Sequence, residues 1–158
     1  MTSQYFYNIM LIISVLFGAI IGAYTTTVDY RVRNDLPIVT ADCYCPSCGH
    51  RLPLHHQFPV ISWILLKGRC GFCNEAIPAR YPVIEMGYTV FYTAAFCMFS
   101  AQPTVFCLLW FGFSCTVLCI RGRGHTKPLI KAIFHMTIYH GVIAATLIYL
   151  YAAKAPVI

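Results

Sequence analysis

Acidic residues are almost missing: the 158 residues hold five, Asp29, Asp35, Asp42, Glu75 and Glu85, and none follows Glu85. Charge of either sign is scarce, at 10% of residues against roughly 25% in a soluble domain. That scarcity excludes an ordinary water-soluble domain, which needs a charged surface to cover its core. What fills the chain instead is apolar, with 59% hydrophobic residues. No charged side chain interrupts Tyr5 to Val28, Met86 to Ile120 or Ala132 to Ala153, apart from a polar break at Ala101-Gln102-Pro103 in the second run. About 20 apolar residues cross a bilayer as a helix. The runs predict four helices over roughly 5–28, 84–100, 104–120 and 131–153, the middle two turning tightly at Gln102-Pro103. The first run lacks the basic start and the small-residue cleavage site of a signal peptide, so it reads as a retained helix.

Lysine and arginine placement sets the expected orientation. Arg31, Arg33, Arg51, Lys67, Arg69 and Arg80 fall between the first two runs, and Arg121, Arg123, Lys127 and Lys131 fall between the last two. Both segments lie on one side of a four-helix chain, which makes that side cytoplasmic and puts both termini outside; Lys154 is the single basic residue against the rule. The expected organisation is a first helix over 1–28, a cytoplasmic loop over 29–82, and a three-helix part over 83–158 with a basic cytoplasmic loop at 121–131. The net charge of +6 then answers anionic lipid headgroups. Neither a long basic run nor an aromatic-basic platform accompanies it, so no nucleic-acid partner is expected.

The loop over 29–82 holds Cys45-Pro46-Ser47-Cys48 and Cys70-Gly71-Phe72-Cys73, with 21 residues between the pairs. Paired C-x-x-C knuckles at such spacing read as a zinc ribbon: each turn presents two thiolates, and two turns complete a tetrahedral S4 site. Gly49 after the first knuckle readily takes positive φ, and Gly71 inside the second frees the backbone to wrap the metal. A loop this short has little core of its own, so metal binding supplies much of its folding energy. Two disulfides are the alternative, disfavoured in a reducing cytoplasm. Cys43 stands as an alternative ligand to Cys45, and His50, His55 and His56 are further alternatives, read more simply as surface histidines on a partly ordered loop. Cys97, Cys107, Cys115 and Cys119 lie in the apolar runs, where cysteine behaves as a small hydrophobe.

These residues carry a resemblance. Cys45-Pro-Ser-Cys48-Gly49-His50-Arg51-Leu52, Phe58-Pro59-Val60-Ile61-Ser62-Trp63 through Lys67-Gly68-Arg69-Cys70-Gly-Phe-Cys73, and Ile77-Pro-Ala-Arg80-Tyr81-Pro82-Val-Ile-Glu85 resemble the amino-terminal domain of type IV prepilin peptidases. Gly22 to Arg31 resembles that family's signature at the end of its first helix. These are membrane aspartic peptidases that cut and N-methylate the leader of pilin-like proteins. The resemblance implies a bacterial inner (cytoplasmic) membrane location and a family that normally has about eight helices. With the four apolar runs found here, the expected fold is an all-α membrane protein of about four transmembrane helices with a small cytoplasmic zinc-ribbon-like insertion. The family's catalytic aspartates have no counterpart here: Arg121 stands near the first position, and no Gly-x-Gly-Asp occurs. An aspartic dyad needs two carboxylates sharing a proton.

Three functions follow as expectations. The first is a non-proteolytic accessory or scaffold in type IV pilus, type II secretion or competence prepilin processing. Its partners would be membrane lipids, prepilin leader peptides, a full-length prepilin peptidase or the assembly proteins. The second is a prepilin N-methyltransferase using S-adenosylmethionine, for which Glu85, Lys67 and Arg69 are the candidate catalytic residues. Two departures weigh against it: Thr26 stands where the family has asparagine, and His56-Gln57-Phe58-Pro59 stands for its Asp-Asn-x-Pro. The third is one half of a split peptidase. Plainer readings stand beside these: Glu85 pairs with Arg80 or Lys67 at the membrane entrance, and Trp63 and Tyr81 anchor at the interface rather than line a groove. His135 and His140 sit five apart and share no face. Gly18 and Gly22 form a small-xxx-small pattern for close helix packing, within the bundle or between copies.

Overall fold

The computed structural model describes residues 2–38, 43–99, 103–121 and 126–152. Its elements are α1 (Thr2–Arg33), a 3-10 turn (Leu54–His56), α2 (Ile61–Leu65), α3 (Arg80–Phe99), α4 (Pro103–Arg121) and α5 (Thr126–Ala152). No strand occurs among the described residues, only two isolated antiparallel bridges. Two of the helices, over Gln4–Arg33 and Arg80–Phe99, are long and apolar enough to cross a membrane, and Cys107–Val117 and Ala132–Thr146 are shorter apolar stretches. The four long helices lie on the four apolar runs, so the protein is mostly helical as expected.

Helix takes more of the chain than hydropathy alone predicts. At the end of α1 the buried Asp29 carboxylate accepts the Arg33 Nε–H at 2.8 Å, an i,i+4 pair that supports the last turn. Arg31 Nη1 donates to the Ile38 carbonyl at 2.8 Å. The α1–α3 connection therefore runs from residue 34 to 79. Pro103 opens α4, the position where its missing N–H costs nothing; Ala101 and Gln102, the rest of the expected turn, lie outside the described residues. Of the segment 121–131, Arg121 ends α4 and α5 starts at Thr126, with Pro128 in its first turn. Residues 122–125, like Asp42 and Lys154, lie outside the described residues.

The architecture is two helical pairs, α1 against α3 and α4 against α5. Small residues bring the first pair together. A Cβ at Gly22 would lie 2.7 Å from Glu85 Cα, and one at Gly18 would lie 2.8 Å from Thr89 Cα. The small-xxx-small stripe is thus spent inside this chain, backbone against backbone, which resolves the alternatives left open for Gly18 and Gly22.

Aromatic side chains join the two pairs. Tyr92 stacks on Trp110 at 4.6 Å between centroids, Phe91 stacks on Phe113 at 4.0 Å, and Phe17 of α1 packs within 5.9 Å of Tyr92, Trp110 and His140. A polar knot is buried in the same place. The Tyr92 hydroxyl lies 2.7 Å from both Ser114 Oγ and His140 Nε2, while Trp110 Nε1 donates to the Tyr92 carbonyl at 3.1 Å. His140 Nδ1 lies 2.9 Å from the Met136 carbonyl. The knot satisfies each of these groups away from water and fixes the rotation of α3, α4 and α5 about one another.

Gly22→Val is expected to push α1 off α3 and destabilise the protein by about 1–3 kcal/mol, the usual cost of overpacking. Gly87, with open space around its would-be Cβ, gives the control: Gly87→Ala is expected to be neutral or stabilising by up to about 1 kcal/mol. Thermal unfolding of the two variants in detergent checks both.

Candidate metal centre and adjoining cleft

The connection between α1 and α3 folds around two small hairpins with the same hydrogen-bond plan, repeated 25 residues apart. In the first, the Cys45 N–H donates to the His50 carbonyl (2.9 Å), Gly49 N–H to Cys45 (2.9 Å) and Leu52 N–H to Cys43 (2.8 Å). In the second, Cys70 N–H donates to Glu75 (2.8 Å), Asn74 N–H to Cys70 (3.0 Å) and Ile77 N–H to Gly68 (2.7 Å). The bridges Tyr44–Arg51 and Arg69–Ala76 occupy matching places. Each turn needs one left-handed residue after its second cysteine: Gly49 supplies it at φ +70° and Asn74 at φ +58°. Asparagine is the non-glycine residue that tolerates this region best.

Gly71, expected to free the backbone around a metal, has a different reason to be glycine. A Cβ there would stand 2.7 Å from His56 Cε1. His56 itself packs edge-on against Phe72, and His50 stacks flat on the same ring at 4.8 Å. His50 and His55 are exposed, as expected, and His56 is half-buried; His50 and His56 pack on Phe72, and none of the three joins the thiol cluster.

Sγ atoms of Cys45, Cys48, Cys70 and Cys73 all lie within 4.8 Å of one another, with Cys45 and Cys73 at 3.9 Å. A tetrahedral site with metal–sulfur bonds of about 2.3 Å has sulfur–sulfur edges of about 3.8 Å, so this donor set fits a metal ion with little adjustment. Its electrostatics ask for one. Backbone N–H groups of Cys73 and Phe72 aim at Cys70 and lower its thiol pKa to about 7. For Cys73 the Glu75 amide pulls downward, but desolvation and the crowding of Cys48, Cys70 and Cys45 outweigh it and leave the thiol at about 12. Four thiolates cannot share this volume without a cation between them. Cys43 stands outside the cluster, at the open end of the first hairpin where its carbonyl accepts Leu52. Cys97, Cys107 and Cys115 sit on the helices away from it.

The ribbon is fastened to the helices through Glu85. One oxygen of its carboxylate accepts the Val60 N–H at 2.7 Å; its partner is thus this amide, not Arg80 or Lys67. Val60 has φ +60°, a conformation that costs a β-branched residue about 1–3 kcal/mol, and the Glu85 bond holds it there at the entrance to α2. Trp63 of α2 then donates its Nε1–H to the Ile77 carbonyl at 3.0 Å, its ring lying where a Cβ of Gly68 would be 2.8 Å away. Trp63 therefore clamps the second hairpin rather than serving only as an interfacial anchor. Ser62 Oγ donates to the His55 carbonyl at 2.9 Å and completes the link to the 3-10 turn.

Between ribbon and helices lies a cleft of about 730 Å3. Its walls include Tyr24, Thr26, Trp63, Tyr81, Glu85 and Tyr139. The Arg80 guanidinium lies 5.4 Å from the centre of the Tyr81 ring. Two enclosed polar atoms at the cleft, Tyr24 Oη and His56 Nδ1, have no hydrogen-bond partner among the described residues. Of the three residues expected to carry methyl transfer, Glu85 lines the cleft while Lys67 and Arg69 do not. Arg69 instead donates to the Asn74 carbonyl at 3.2 Å, bracing the second hairpin. His135 also reaches the cleft, whereas His140 belongs to the buried knot, consistent with two histidines on different faces.

Purified protein is expected to hold one metal ion per chain, read by elemental analysis. Cys45→Ala or Cys70→Ala is expected to abolish it and to open residues 43–77 to proteolysis while the helices persist by circular dichroism. Metal retained at full stoichiometry in Cys45→Ala would point to a different ligand set.

No solved structure matches the chain. Among characterised proteins it is 34% identical over 82 residues to the prepilin leader peptidase/N-methyltransferase of Myxococcus xanthus, covering 52% of this chain and 24% of that protein. It is 52% identical over 42 residues to the protein of the same name from Dichelobacter nodosus, 27% of this chain and 15% of that one. A type 4 prepilin-like proteins leader peptide-processing enzyme of Escherichia coli matches at 26% over 95 residues, 49% and 35% of the two chains. The chain thus spans a quarter or less of the Myxococcus and Dichelobacter proteins and about a third of the Escherichia protein. The family model for the Bacterial Peptidase A24 N-terminal domain matches residues 16–99, which takes in α1 from residue 16 onward, the ribbon and α3. More than half of the sequence lies inside that match, and the chain belongs to the Bacterial Peptidase A24 N-terminal domain family.

Proposed function

We propose that this chain is a zinc-bearing, multi-pass membrane protein that binds the leader segment of prepilin-like proteins without cutting it. Its place would be as an accessory or scaffold in prepilin processing. The observation that carries the reading is the employment of its acids. Asp29 is paired with Arg33, Asp35 sits in the left-handed turn after α1, and Glu85 holds the Val60 amide. An aspartic dyad requires two carboxylates facing one water, and none of these three is placed as half of one. The cleft supplies what binding needs instead: aromatic and apolar walls, a few polar groups, and a position beside α1 and α3, where a leader helix lying in the membrane would arrive.

Zinc is the metal that an S4 tetrahedron selects in a site with no redox task, and here it would hold the two hairpins as one wall of the cleft. The basic residues at the ends of α1 and α3 favour a cytoplasmic ribbon and an inner-membrane location by the positive-inside rule. In that arrangement α4 and α5 complete four spans.

Glu85 gives one reason to keep methyl transfer as a second reading, since it is an acid in the cleft wall. A carboxylate there can accept a proton from a leader amine, with S-adenosylmethionine as the methyl source. Lys67 and Arg69 take no part in that wall, which leaves the accessory reading ahead.

Purified protein incubated with a prepilin and S-adenosylmethionine is expected to leave the leader intact and unmethylated while binding the leader peptide. Tyr139→Ala, at the rim of the cleft, is expected to weaken that binding by roughly 1–2 kcal/mol without loss of metal. Leader cleavage by the protein alone sinks the non-proteolytic reading. Methylation lost in Glu85→Gln makes the chain a methyltransferase.

A further inference from the structure

The ribbon turns an apolar face outward. Ile61, Ile64 and Leu65 lie at i, i+3 and i+4 of α2, one stripe of the helix, and they are 59%, 61% and 73% exposed. Phe58 before α2 and Leu54 of the 3-10 turn are 59% and 80% exposed. The opposite side of α2 is occupied, since Ser62 is buried on His55 and Trp63 is bonded to Ile77. Lys67 and Arg69 follow the stripe directly and are exposed. Of these five residues Phe58 also borders the cleft, while Leu54, Ile61, Ile64 and Leu65 line neither the cleft nor the metal site.

Its depth can be read from α3. The 20 residues Arg80–Phe99 rise about 30 Å at 1.5 Å per residue, the thickness of a hydrocarbon core. That sets Arg80 at one edge of the core. Glu85, five residues on, lies about 7.5 Å further along the axis, and its carboxylate holds the Val60 amide at the first turn of α2. An interfacial helix buries its apolar face about 5–10 Å into the boundary between headgroups and acyl chains. The hydrogen bond to Glu85 puts α2 at that level.

We infer that α2 and the preceding turn are a membrane-interfacial anchor: Leu54, Phe58, Ile61, Ile64 and Leu65 lie in the acyl boundary, and Lys67 and Arg69 meet anionic lipid headgroups. The inference rests on the proposed membrane-spanning arrangement of α1 and α3. The charge of the flanking residues and the tie of α2 through Val60 to Glu85 on a bilayer-length helix select lipid as its occupant. The anchor would keep the ribbon flat against the bilayer and so hold the cleft open along the membrane surface.

The full-length protein in nanodiscs of phosphatidylethanolamine and phosphatidylglycerol, carrying p-benzoylphenylalanine in place of Leu65, tests this. Irradiation is expected to give lipid adducts at that position, with a yield several-fold lower when phosphatidylcholine replaces both lipids. The same probe in place of Leu16, on the exposed face of α1, reports the span itself. Adducts at the Leu16 position with none at the Leu65 position overturn the anchor and leave the span standing. Absence of adducts at both removes the membrane-spanning reading and the anchor together. A covalent dimer formed through the Leu65 position assigns the face to a second copy and overturns the lipid assignment. Equal adduct yield in phosphatidylcholine overturns the headgroup role of Lys67 and Arg69.

Discussion

The approach of α1 to α3 at Gly18 and Gly22 governs the rest of the molecule. Because a Cβ at Gly22 has no room beside Glu85 Cα, the two backbones meet at the level of the residue that fastens the ribbon. Glu85 can then reach the Val60 amide while its own helix stays packed. The ribbon is inserted between these two helices in sequence, so the distance between their ends is also the distance its two stems must bridge. Side chains larger than hydrogen on that stripe would change the spacing and the seat of Val60 together.

Much of this was legible in the residues themselves. The apolar runs located all four long helices, because bilayer-length hydrophobicity is a coarse signal that tolerates errors at the ends. The two C-x-x-C pairs located the thiol cluster, and spacing alone preferred Cys45 to Cys43. Other features had no sequence signal. Asn74 matches Gly49 only once the 25-residue repeat of hydrogen bonds is known, since the repeat is one of backbone register and leaves little trace in side chains. Glu85 looked for a charged partner nearby and found a backbone amide 25 residues earlier. A five-residue helix such as α2 is below the length at which periodicity means anything. The buried contacts of His140 with Tyr92 join residues 48 apart and follow from tertiary packing.

The family match ends at residue 99, yet α4 and α5 are not a loose addition to it. Tyr92 belongs to the matched segment, and its hydroxyl is the centre of the knot that Ser114 and His140 complete. The matched part and the part beyond it share one buried polar network and one aromatic stack. A polar group sealed among apolar helices tolerates few rotations of its neighbours, so α4 and α5 constrain where α3 points and, through Glu85, where the ribbon sits.

The shared hydrogen-bond plan of the two hairpins has a consequence for assembly. Two equivalent knuckles could be donated by different molecules as readily as by one, giving an exchanged dimer in which each metal is shared. What separates the two outcomes is the asymmetric stretch between the knuckles. Trp63 fits over Gly68 of the second hairpin alone, His56 fits over Gly71 of the second alone, and Gln57 donates back to Leu52 of the first at 2.6 Å. The connector is thus held to both hairpins of its own chain by contacts other than the metal ligands, and domain exchange would have to break them.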